Sequence, residues 1–214
     1  EEFLGDVATW DAAEASLRRA LEGAAQPYVL EAGEGAFYGP KIDFDITDAL
    51  DRKWQCGTIQ LDYQMPARFD LSYVGPDNAP HMPVVIHRAI FGSFERFIGI
   101  LIEHFAGAFP LWLAPVQVAV LPITDRANAY AHEVLTALRA AGFRAVLDER
   151  PEKVNYKIRE AQLQKVPYML VLGDREAADR AVAVRSRSKG DLGATPLDTF
   201  VAEALAEVAE KRLS

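Results

Sequence analysis

The sequence predicts two consecutive domains of different fold class, an α+β domain built on an antiparallel sheet and then an α/β domain with a mixed sheet. Three observations lead to this prediction. The first half contains strand-like segments joined by short connections, which favours antiparallel pairing. The second half alternates strands with helices. Between them, residues 106–115 (AGAFPLWLAP) combine small residues with two prolines, so we place the domains at residues 1–110 and 111–214.

The first domain is expected to begin with a helix, followed by strands. Residues 9–22 carry apolar side chains at helical spacing, and Gly23 follows as a stop signal. Lys41–Thr47 (KIDFDIT) alternates strictly between polar and apolar residues, as a half-buried strand does. The predicted strands of this domain are residues 27–32, Lys41–Thr47, 54–63 and 69–74.

The rest of the first domain combines a loop with a strongly apolar helix. Residues 75–83 are rich in Gly, Pro, Asp and Asn and are predicted to form a loop. A short strand at residues 84–86 leads into a helix over residues 93–105, whose side chains are apolar on nearly all sides. A helix of this kind is predicted to be buried.

The second domain shows the rhythm of an α/β fold. Its length of about 100 residues is a normal domain size. Strands are predicted at residues 116–121, 144–147, Tyr168–Leu172 and 181–185, and helices at residues 127–141, 154–164 and 197–212.

Composition indicates an ordinary globular protein. The single cysteine, Cys56, excludes an internal disulfide framework. The longest apolar run, residues 97–103, is far shorter than the ~20 residues that span a bilayer. We therefore expect a cytoplasmic protein with no membrane partner.

The charge is unevenly distributed along the chain. The net charge is −8, but residues 1–114 hold 8 Lys/Arg against 17 Asp/Glu, whereas residues 115–214 hold 15 against 14. Local basic groups could attract phosphates, and Arg185 and Arg187 share a strand face suited to phosphates or base edges. A solvated charged face is the alternative. The basic residues concerned are Lys153, Lys157, Arg159, Lys165, Arg185, Arg187 and Lys189.

Residues 35–41 (GAFYGPK) place a phenol and an ammonium group on a Gly/Pro-rich turn that opens a strand. The lysine, Lys41, could meet a phosphate or a carboxylate as a point charge, with Tyr38 beside it. The alternative is a plain hairpin loop with a surface lysine.

Residues 54–60 (WQCGTIQ) are unusually polar for a strand, with amides at Gln55 and Gln60. Cys56, Thr58 and Gln60 share one face by the two-residue period of a strand. Polar groups on a sheet face need partners, and a bound polar ligand would supply them. An exposed sheet face would explain the pattern equally well.

Residues 87–96 (HRAIFGSFER) combine His87 with Ser93 at a helix start and Arg96 one turn later. A helix N-terminus attracts anions, and an arginine beside it could hold a phosphate chain. Ordinary helix capping and a structural histidine are the alternatives.

These segments stand in the order and spacing of threonyl-tRNA synthetases, which the chain resembles over essentially its whole length. The similar stretches are EGAFYGPKIDF, RKWQCGTIQLDYQMPARFDLSYV, VVIHRAIFGSFERFIGILIEHFAGAFPLWLAPVQV and YKIREAQLQKVPYMLVLGDRE. IHRAIFGSFER is similar to the third defining motif of class II synthetases, with Ile90 in place of the first glycine. The resemblance implies part of a class II catalytic domain followed by an anticodon-binding domain.

The resemblance also implies a function. It implies ATP-dependent activation of L-threonine to threonyl-adenylate and its transfer to tRNA(Thr) by a homodimeric enzyme that uses ATP with Mg²⁺. The roles carried over are Lys41 and Arg96 in catalysis, Tyr38, Cys56 and Gln60 toward threonine, Gln55, Thr58, Ser93 and Arg96 toward ATP, Glu176 and Arg185 toward the anticodon, and His87 as one of three zinc ligands. In the family the zinc binds the amino and hydroxyl groups of threonine.

Two departures from the family pattern affect what we expect. The first two class motifs and the other two zinc ligands, a cysteine and a histidine, are absent, and Cys56 is not the missing ligand. We therefore expect a part of an enzyme that is inactive alone. Pro151 replaces an anticodon-contacting asparagine and removes an amide contact. The alternative is a non-catalytic tRNA-binding or regulatory protein derived from a synthetase. Such a protein has no need of the residues retained here, and their retention argues against this alternative: Tyr38, Lys41, Gln55, Gln60, His87 and Arg96.

Overall fold

The computed structural model describes residues 3–213. The chain divides into two compact units, Glu1–Gly99 and Ile100–Ser214. None of the helices within residues 3–213 has both the length and the apolar character needed to cross a bilayer.

The first unit is built on an antiparallel sheet. The order of its strands is β1-β2-β5, and β3 and β4 form a separate two-stranded hairpin. The elements up to the helix that crosses the division are α1 (Val7–Gly23), β1 (Lys41–Thr47), β2 (Lys53–Asp62), α2 (Gln64–Arg68), β3 (Tyr73–Val74), β4 (Pro80–His81), β5 (Val85–Ala89) and α3 (Phe94–His104). The predicted antiparallel α+β arrangement is confirmed.

Helix α1 starts where a side chain satisfies its free backbone donors. The Asp6 carboxylate accepts hydrogen bonds from the Thr9 N–H at 2.9 Å and the Thr9 hydroxyl at 2.7 Å. These bonds hold the pKa of Asp6 below its ordinary value. The helix predicted for residues 9–22 is therefore confirmed, with its start moved to the residue after the cap.

Two predicted strands of the first unit are wrong. Residues 27–32 belong to no strand and are exposed, because no neighbouring strand in the described residues pairs with them. Of residues 69–74, only Tyr73–Val74 pairs, since a short helix, α2, precedes it. Pro66 is compatible with that helix because it lies in the first turn, where the backbone N–H has no partner within the helix.

Helix α3 forms where it was predicted, but none of its residues is buried. Phe94 is 84% exposed, and Ile98 and Ile102 are about half exposed. The prediction of burial is wrong because it assumed a surrounding layer, and within the described residues no layer encloses the helix.

The second unit is an α/β domain with a mixed five-stranded sheet in the order β10-β9-β8-β6-β7. Strands β7, β6 and β8 run parallel, whereas β9 and β10 are antiparallel to their neighbours. The elements are β6 (Val118–Pro122), a short 3₁₀ turn (Asp125–Ala127), α4 (Asn128–Ala140), β7 (Ala145–Leu147), α5 (Val154–Leu163), β8 (Tyr168–Leu172), α6 (Asp174–Asp179), β9 (Ala181–Ser186), β10 (Gly190–Pro196) and α7 (Leu197–Ala209). The predicted mixed sheet is confirmed.

The core of the second unit lies on both faces of β6, which is buried at every position. One face of the sheet packs against α4 and α7, and the other packs against α5. A strand covered on both sides is expected to be continuously apolar, as VAVLP is. The two clusters contain, among others, Val118, Val120, Val134, Leu138 and Phe200 on one side and Ala119, Leu121, Ala161 and Met169 on the other.

Two elements of the second unit were not predicted, α6 and the edge strand β10. The sequence of β10 (GDLGATP) has low strand propensity, and its pairing with β9 shifts register between Asp191 and Gly193. Backbone pairing with β9 rather than side-chain pattern therefore places this strand.

Candidate functional site

The register of the first sheet brings three predicted residues into one row. Lys41 of β1 pairs with Gln60 of β2, and Gln60 pairs with His87 of β5. Residues directly opposite each other point to the same face of a sheet. The next row on that face contains Asp43 and Thr58. The fold thus places an ammonium, an amide and an imidazole side by side.

A β-bulge at Cys56 modifies this face. Phe44 pairs with Gly57 and Asp45 with Gln55, so Cys56 is an extra residue without a partner on β1. The bulge lets the Gln55 side chain reach the Asp43 carboxylate, which strict alternation would not allow. The predicted two-residue period therefore holds from residue 57 onward and is interrupted at Cys56, which is 5% exposed.

Tyr38 joins the row from the loop before β1. Its hydroxyl donates to Gln60 Oε1, and its ring meets the His87 ring edge-on, with 5.7 Å between centroids. The neighbouring Gly39 allows this contact, because a Cβ there would overlap the Leu61 carbonyl. The loop can lie against β2 only with glycine at this position.

Lys41 is held by Asp43 in an ion pair of 2.7 Å, in which the side chains are 22% and 26% exposed. Burial alone raises the pKa of Asp43, but interactions with Lys41, Thr58 and Gln55 outweigh burial and keep the pKa below its ordinary value. Thr58 Oγ1 is buried and has no well-aligned hydrogen bond within residues 3–213, although it lies near enough to lower that pKa. A ligand in this place would meet a cation that is already held in position.

His87 is paired with a buried carboxylate. Its Nε2 lies 2.9 Å from Asp62 Oδ2, and the Asp62 side chain is 3% exposed. Asp62 Oδ1 accepts the backbone N–H groups of Gln64 at 2.8 Å and Met65 at 2.9 Å. Burial raises the pKa of Asp62, but the hydrogen bonds outweigh it and hold the pKa below its ordinary value.

Arg96 and Ser93 lie at the start of α3. The Ser93 hydroxyl accepts the Arg96 N–H at 3.3 Å, and the Arg96 guanidinium donates to the Gln55 carbonyl. Gly92 has a φ of 71°, and a side chain there would meet the guanidinium. The structure thus brings Arg96 beside the strand that carries Gln55, with the arginine exposed.

The metal ligands predicted for this face are incomplete in the part of the chain described. Within residues 3–213, no three His, Cys, Asp or Glu side chains are grouped closely enough to hold a metal ion. A catalytic zinc site needs three protein ligands. These residues alone therefore do not fit a zinc ion, and His87 stays a predicted single ligand.

The two predicted anticodon residues lie on α6 and β9. Glu176 Oε2 accepts the Gly173 N–H at 2.9 Å and so caps α6. Arg185 makes a long contact of 3.4 Å with Asp191, and its buried Nε has no hydrogen-bond partner among the described residues. Pro151 is exposed before α5. The Arg185 side chain is 32% exposed, so part of its guanidinium is accessible to a ligand.

Several of the predicted basic residues serve the fold instead. Lys157 is 4% exposed, and its ammonium donates to the carbonyls of Pro122 and Asp148, both at 3.0 Å. Lys165 donates to the carbonyl of Ala106. The prediction of a surface for phosphates is wrong for Lys157, because this lysine is buried and satisfies backbone carbonyls within the unit. For the exposed Lys165 it stays a prediction.

The prediction for Arg187 is also wrong. Its guanidinium donates to the carbonyls of Ala108 at 3.1 Å, Phe109 at 3.0 Å and Lys165 at 2.6 Å. Burial lowers its pKa. Arg185 and Arg187 therefore do not form the predicted pair of ligand-binding arginines.

Sequence reasoning missed Asp43 and Asp62 as members of the candidate site. Both follow from the two-residue period, since Asp62 is two residues beyond Gln60 and Asp43 two beyond Lys41. The signal was therefore present in the sequence, as carboxylates on the same strand face as the predicted basic and polar residues.

Comparison with known proteins agrees with this arrangement. The family described as the tRNA synthetase class II core domain (G, H, P, S and T) matches residues 8–105, and the anticodon binding domain family matches residues 117–207. The crystal structure of the RNA binding domain of threonyl-tRNA synthetase from Cryptosporidium parvum Iowa II has a TM-score of 0.83 and 41% identity, covering 96% of this chain and 52% of that one.

Curated relatives are similar over the whole chain. A threonine–tRNA ligase of Symbiobacterium thermophilum is 60% identical over 213 residues, which cover 100% of this chain and 33% of the relative. A threonine–tRNA ligase of Desulforamulus reducens is 62% identical over 201 residues, which cover 94% of this chain and 32% of the relative. The chain spans about a third of the length of these relatives. From its two domains and this similarity, the chain belongs to the threonyl-tRNA synthetase family.

Proposed function

We propose that this chain supplies part of the synthetic site, and the anticodon-binding domain, of a threonine–tRNA ligase. The reaction is ATP-dependent activation of L-threonine to threonyl-adenylate, followed by transfer to tRNA(Thr). The observation that carries the proposal is the row of Lys41, Gln60 and His87 across one sheet face, with Tyr38 bonded to Gln60.

The proposed threonine subsite is formed by Tyr38, Gln60, Cys56 and His87. Tyr38 and Gln60 hold each other in place through their hydrogen bond, so they present polar groups with little freedom to move. A site built to bond a substrate hydroxyl rejects an isostere that lacks one, whereas an apolar pocket separates the two poorly. This arrangement suits selection of threonine over valine.

The proposed ATP subsite contains Lys41, Arg96, Gln55, Thr58 and Ser93. Adenylate formation is an in-line attack of a carboxylate on the α-phosphate, so correct placement and positive charge supply most of the catalysis. Lys41 must exchange its Asp43 partner for phosphate when ATP with Mg²⁺ binds. The pre-formed ion pair keeps the ammonium in position before that exchange.

Zinc belongs to the proposal for the whole enzyme, in which His87 is one ligand. The residues described here do not complete a site, so no catalytic step is assigned to the metal. A cytoplasmic location is likewise proposed for the whole enzyme, since the tRNA that it would charge is used in translation, and a homodimer is proposed from the family resemblance.

The proposal is tested by threonine-dependent exchange of pyrophosphate into ATP. A longer enzyme that contains these residues is expected to be active, and Lys41→Ala or Arg96→Ala is expected to lower its rate about 100-fold or more, as loss of a transition-state donor does. Lys53→Ala is the matched control, because Lys53 is exposed on the neighbouring strand. Residues 1–214 alone are expected to show no exchange.

Three results would each contradict a part of the proposal. Exchange that does not depend on threonine in the longer enzyme would remove the substrate assignment. A longer enzyme that binds tRNA(Thr) but never exchanges pyrophosphate would favour a tRNA-binding or regulatory role. Robust exchange by residues 1–214 would show that this chain already contains every essential group.

A further inference from the structure

Asp62 lies at the junction of the candidate threonine subsite and the start of α2, with both carboxylate oxygens engaged. Oδ1 accepts two backbone N–H groups, from Gln64 and Met65, and Oδ2 is bonded to His87 Nε2. The residue is 2% exposed. Its position cannot change without breaking the start of a helix, so it offers His87 a fixed partner.

The direction of the hydrogen bond follows from the chemistry of the two groups. An ionised carboxylate can only accept, so Nε2 of His87 must donate. An aspartate side chain is ordinarily ionised at neutral pH, and the two backbone N–H groups that Oδ1 accepts favour the ionised form. In a neutral imidazole the other nitrogen, Nδ1, then carries a lone pair.

The orientation of the ring is constrained from a second direction as well. The Tyr38 ring meets the His87 ring edge-on at 5.7 Å and 65°. Tyr38 is itself fixed by its bond to Gln60. The imidazole is therefore held by Asp62 at one nitrogen and by an aromatic ring, although its side chain is 36% exposed and so accessible to a ligand.

We propose that Asp62 is a positioning residue for His87, which fixes the ring orientation and keeps the proton on Nε2, so that Nδ1 is the nitrogen that binds a ligand. The identity of that ligand, in the threonine subsite, rests on the proposed function. The assignment of the tautomer does not depend on the proposed function, because it follows from the hydrogen bonds of Asp62.

The decisive measurement is the tautomer of His87 in the purified chain. Long-range ¹H–¹⁵N correlation spectra, recorded above the pH at which imidazole is protonated, distinguish Nε2–H from Nδ1–H. The expected result is Nε2–H. A proton on Nδ1, or a mixture of both tautomers, would overturn the proposal without any variant.

The substitution Asp62→Asn gives the sharpest change. The amide oxygen of the new side chain can still accept from Gln64 and Met65, so its amide nitrogen faces His87 and donates to Nε2. The proton then has to move to Nδ1, because a nitrogen that accepts a hydrogen bond does not carry the proton. The same replacement of aspartate by asparagine changes the tautomer of the histidine in serine proteases. The spectrum is expected to switch to Nδ1–H, and an unchanged tautomer in the folded variant would contradict the mechanism.

The matched control is Asp77→Asn. Asp77 pairs with His81 at 2.8 Å on the exposed β3–β4 hairpin, and its Oδ1 also lies near a backbone N–H, that of Ala79. The chemical change is therefore the same, but it lies outside the candidate site. Asp77→Asn is expected to leave the His87 tautomer unchanged, and a shift of His87 in this variant would overturn the assignment.

A functional measurement separates positioning from general stability. In a longer enzyme containing these residues, Asp62→Asn is expected to lower kcat/KM for threonine in pyrophosphate exchange by about 10- to 100-fold, the usual effect of losing a partner behind a ligand-binding histidine. KM for ATP is expected to stay unchanged. An equal loss toward both substrates would contradict positioning, whereas absent threonine dependence in the unmodified enzyme would instead contradict the proposed function.

Discussion

Lys157 shows how a lysine that composition assigns to a charged surface can be a structural residue. Its ammonium donates to the Pro122 carbonyl at the end of β6 and to the Asp148 carbonyl just after β7. Spacing on α5 alone could not reveal this, because the Pro122 carbonyl at the end of β6 lies 35 residues earlier in the chain and is brought to Lys157 only by the fold. Residue type predicted the charge but not its partner.

Replacing Lys157 by Met is expected to destabilise the second unit. The apolar stem is retained, but the carbonyls of Pro122 and Asp148 lose their donor in a buried place, which costs about 1–3 kcal/mol. Urea denaturation measures the loss. Lys153→Met, at an exposed position before the same helix, is the control and should change the free energy of unfolding by less than about 0.5 kcal/mol. Equal stability of the two variants would contradict the structural role.

His87 leads to a prediction about metal content. With a single candidate ligand among the described residues, the purified chain is expected to contain far less than one zinc per chain. In a longer enzyme with the full ligand set, His87→Ala is expected to remove both zinc and threonine activation. Metal analysis of both forms tests this, with His104→Ala as a control. Stoichiometric zinc in the short chain, or unchanged zinc in the long variant, would make His87 a structural histidine.

At the scale of elements, periodicity predicted the strands that alternate, and it failed where pairing depends on the backbone. Lys41–Thr47 alternates and was found, whereas β10 has little strand propensity and is placed by its bonds to β9. Residues 27–32 are strand-like in sequence, but no strand among residues 3–213 pairs with them. Of the candidate site, the sequence could predict which residues carry polar groups. It could not predict the bulge at Cys56, which depends on the pairing of two strands.

The start of α1 gives a test at this scale. Asp6→Ala removes the side chain that accepts from Thr9 and is expected to destabilise the helix by about 1 kcal/mol. Hydrogen exchange of the α1 amides measures the effect, which should be largest in the first turn. Asp11→Ala, on the exposed surface within the same helix, should change the rate of hydrogen exchange very little. Similar exchange in both variants would show that the cap does not limit fraying.

For the whole molecule, the charge distribution and the second unit predict how tRNA binds. The purified chain is expected to bind tRNA(Thr) through residues 111–214, with an affinity that falls steeply as salt rises. Arg185→Glu is expected to reduce preference for the threonine anticodon more than it weakens general binding, because the Arg185 side chain is partly exposed and makes only a long contact with Asp191, whereas Lys157 and Arg187 are engaged by backbone carbonyls. Filter binding against tRNAs with other anticodons provides the measurement.

The control for that experiment is Arg159→Glu, at an exposed position on α5. This change is expected to weaken binding to all tRNAs equally. Equal binding of the unmodified chain to unrelated tRNAs at moderate salt would contradict anticodon recognition by this domain.

The bulge at Cys56 has a consequence for how β2 can vary in length. In a regular strand Gln55 and Thr58, which are three residues apart, would point to opposite faces. The bulge brings both side chains to the same face, so both reach the carboxylate of Asp43. Deleting Cys56 would restore regular pairing and leave Gln55 on the same face as Asp43, because Gly57 would still pair with Phe44 and Gln55 with Asp45. The pairing on either side of position 56 should therefore survive the loss of this residue. What keeps Gln55 on this face is its pairing with Asp45, which no comparison of side-chain chemistry would show.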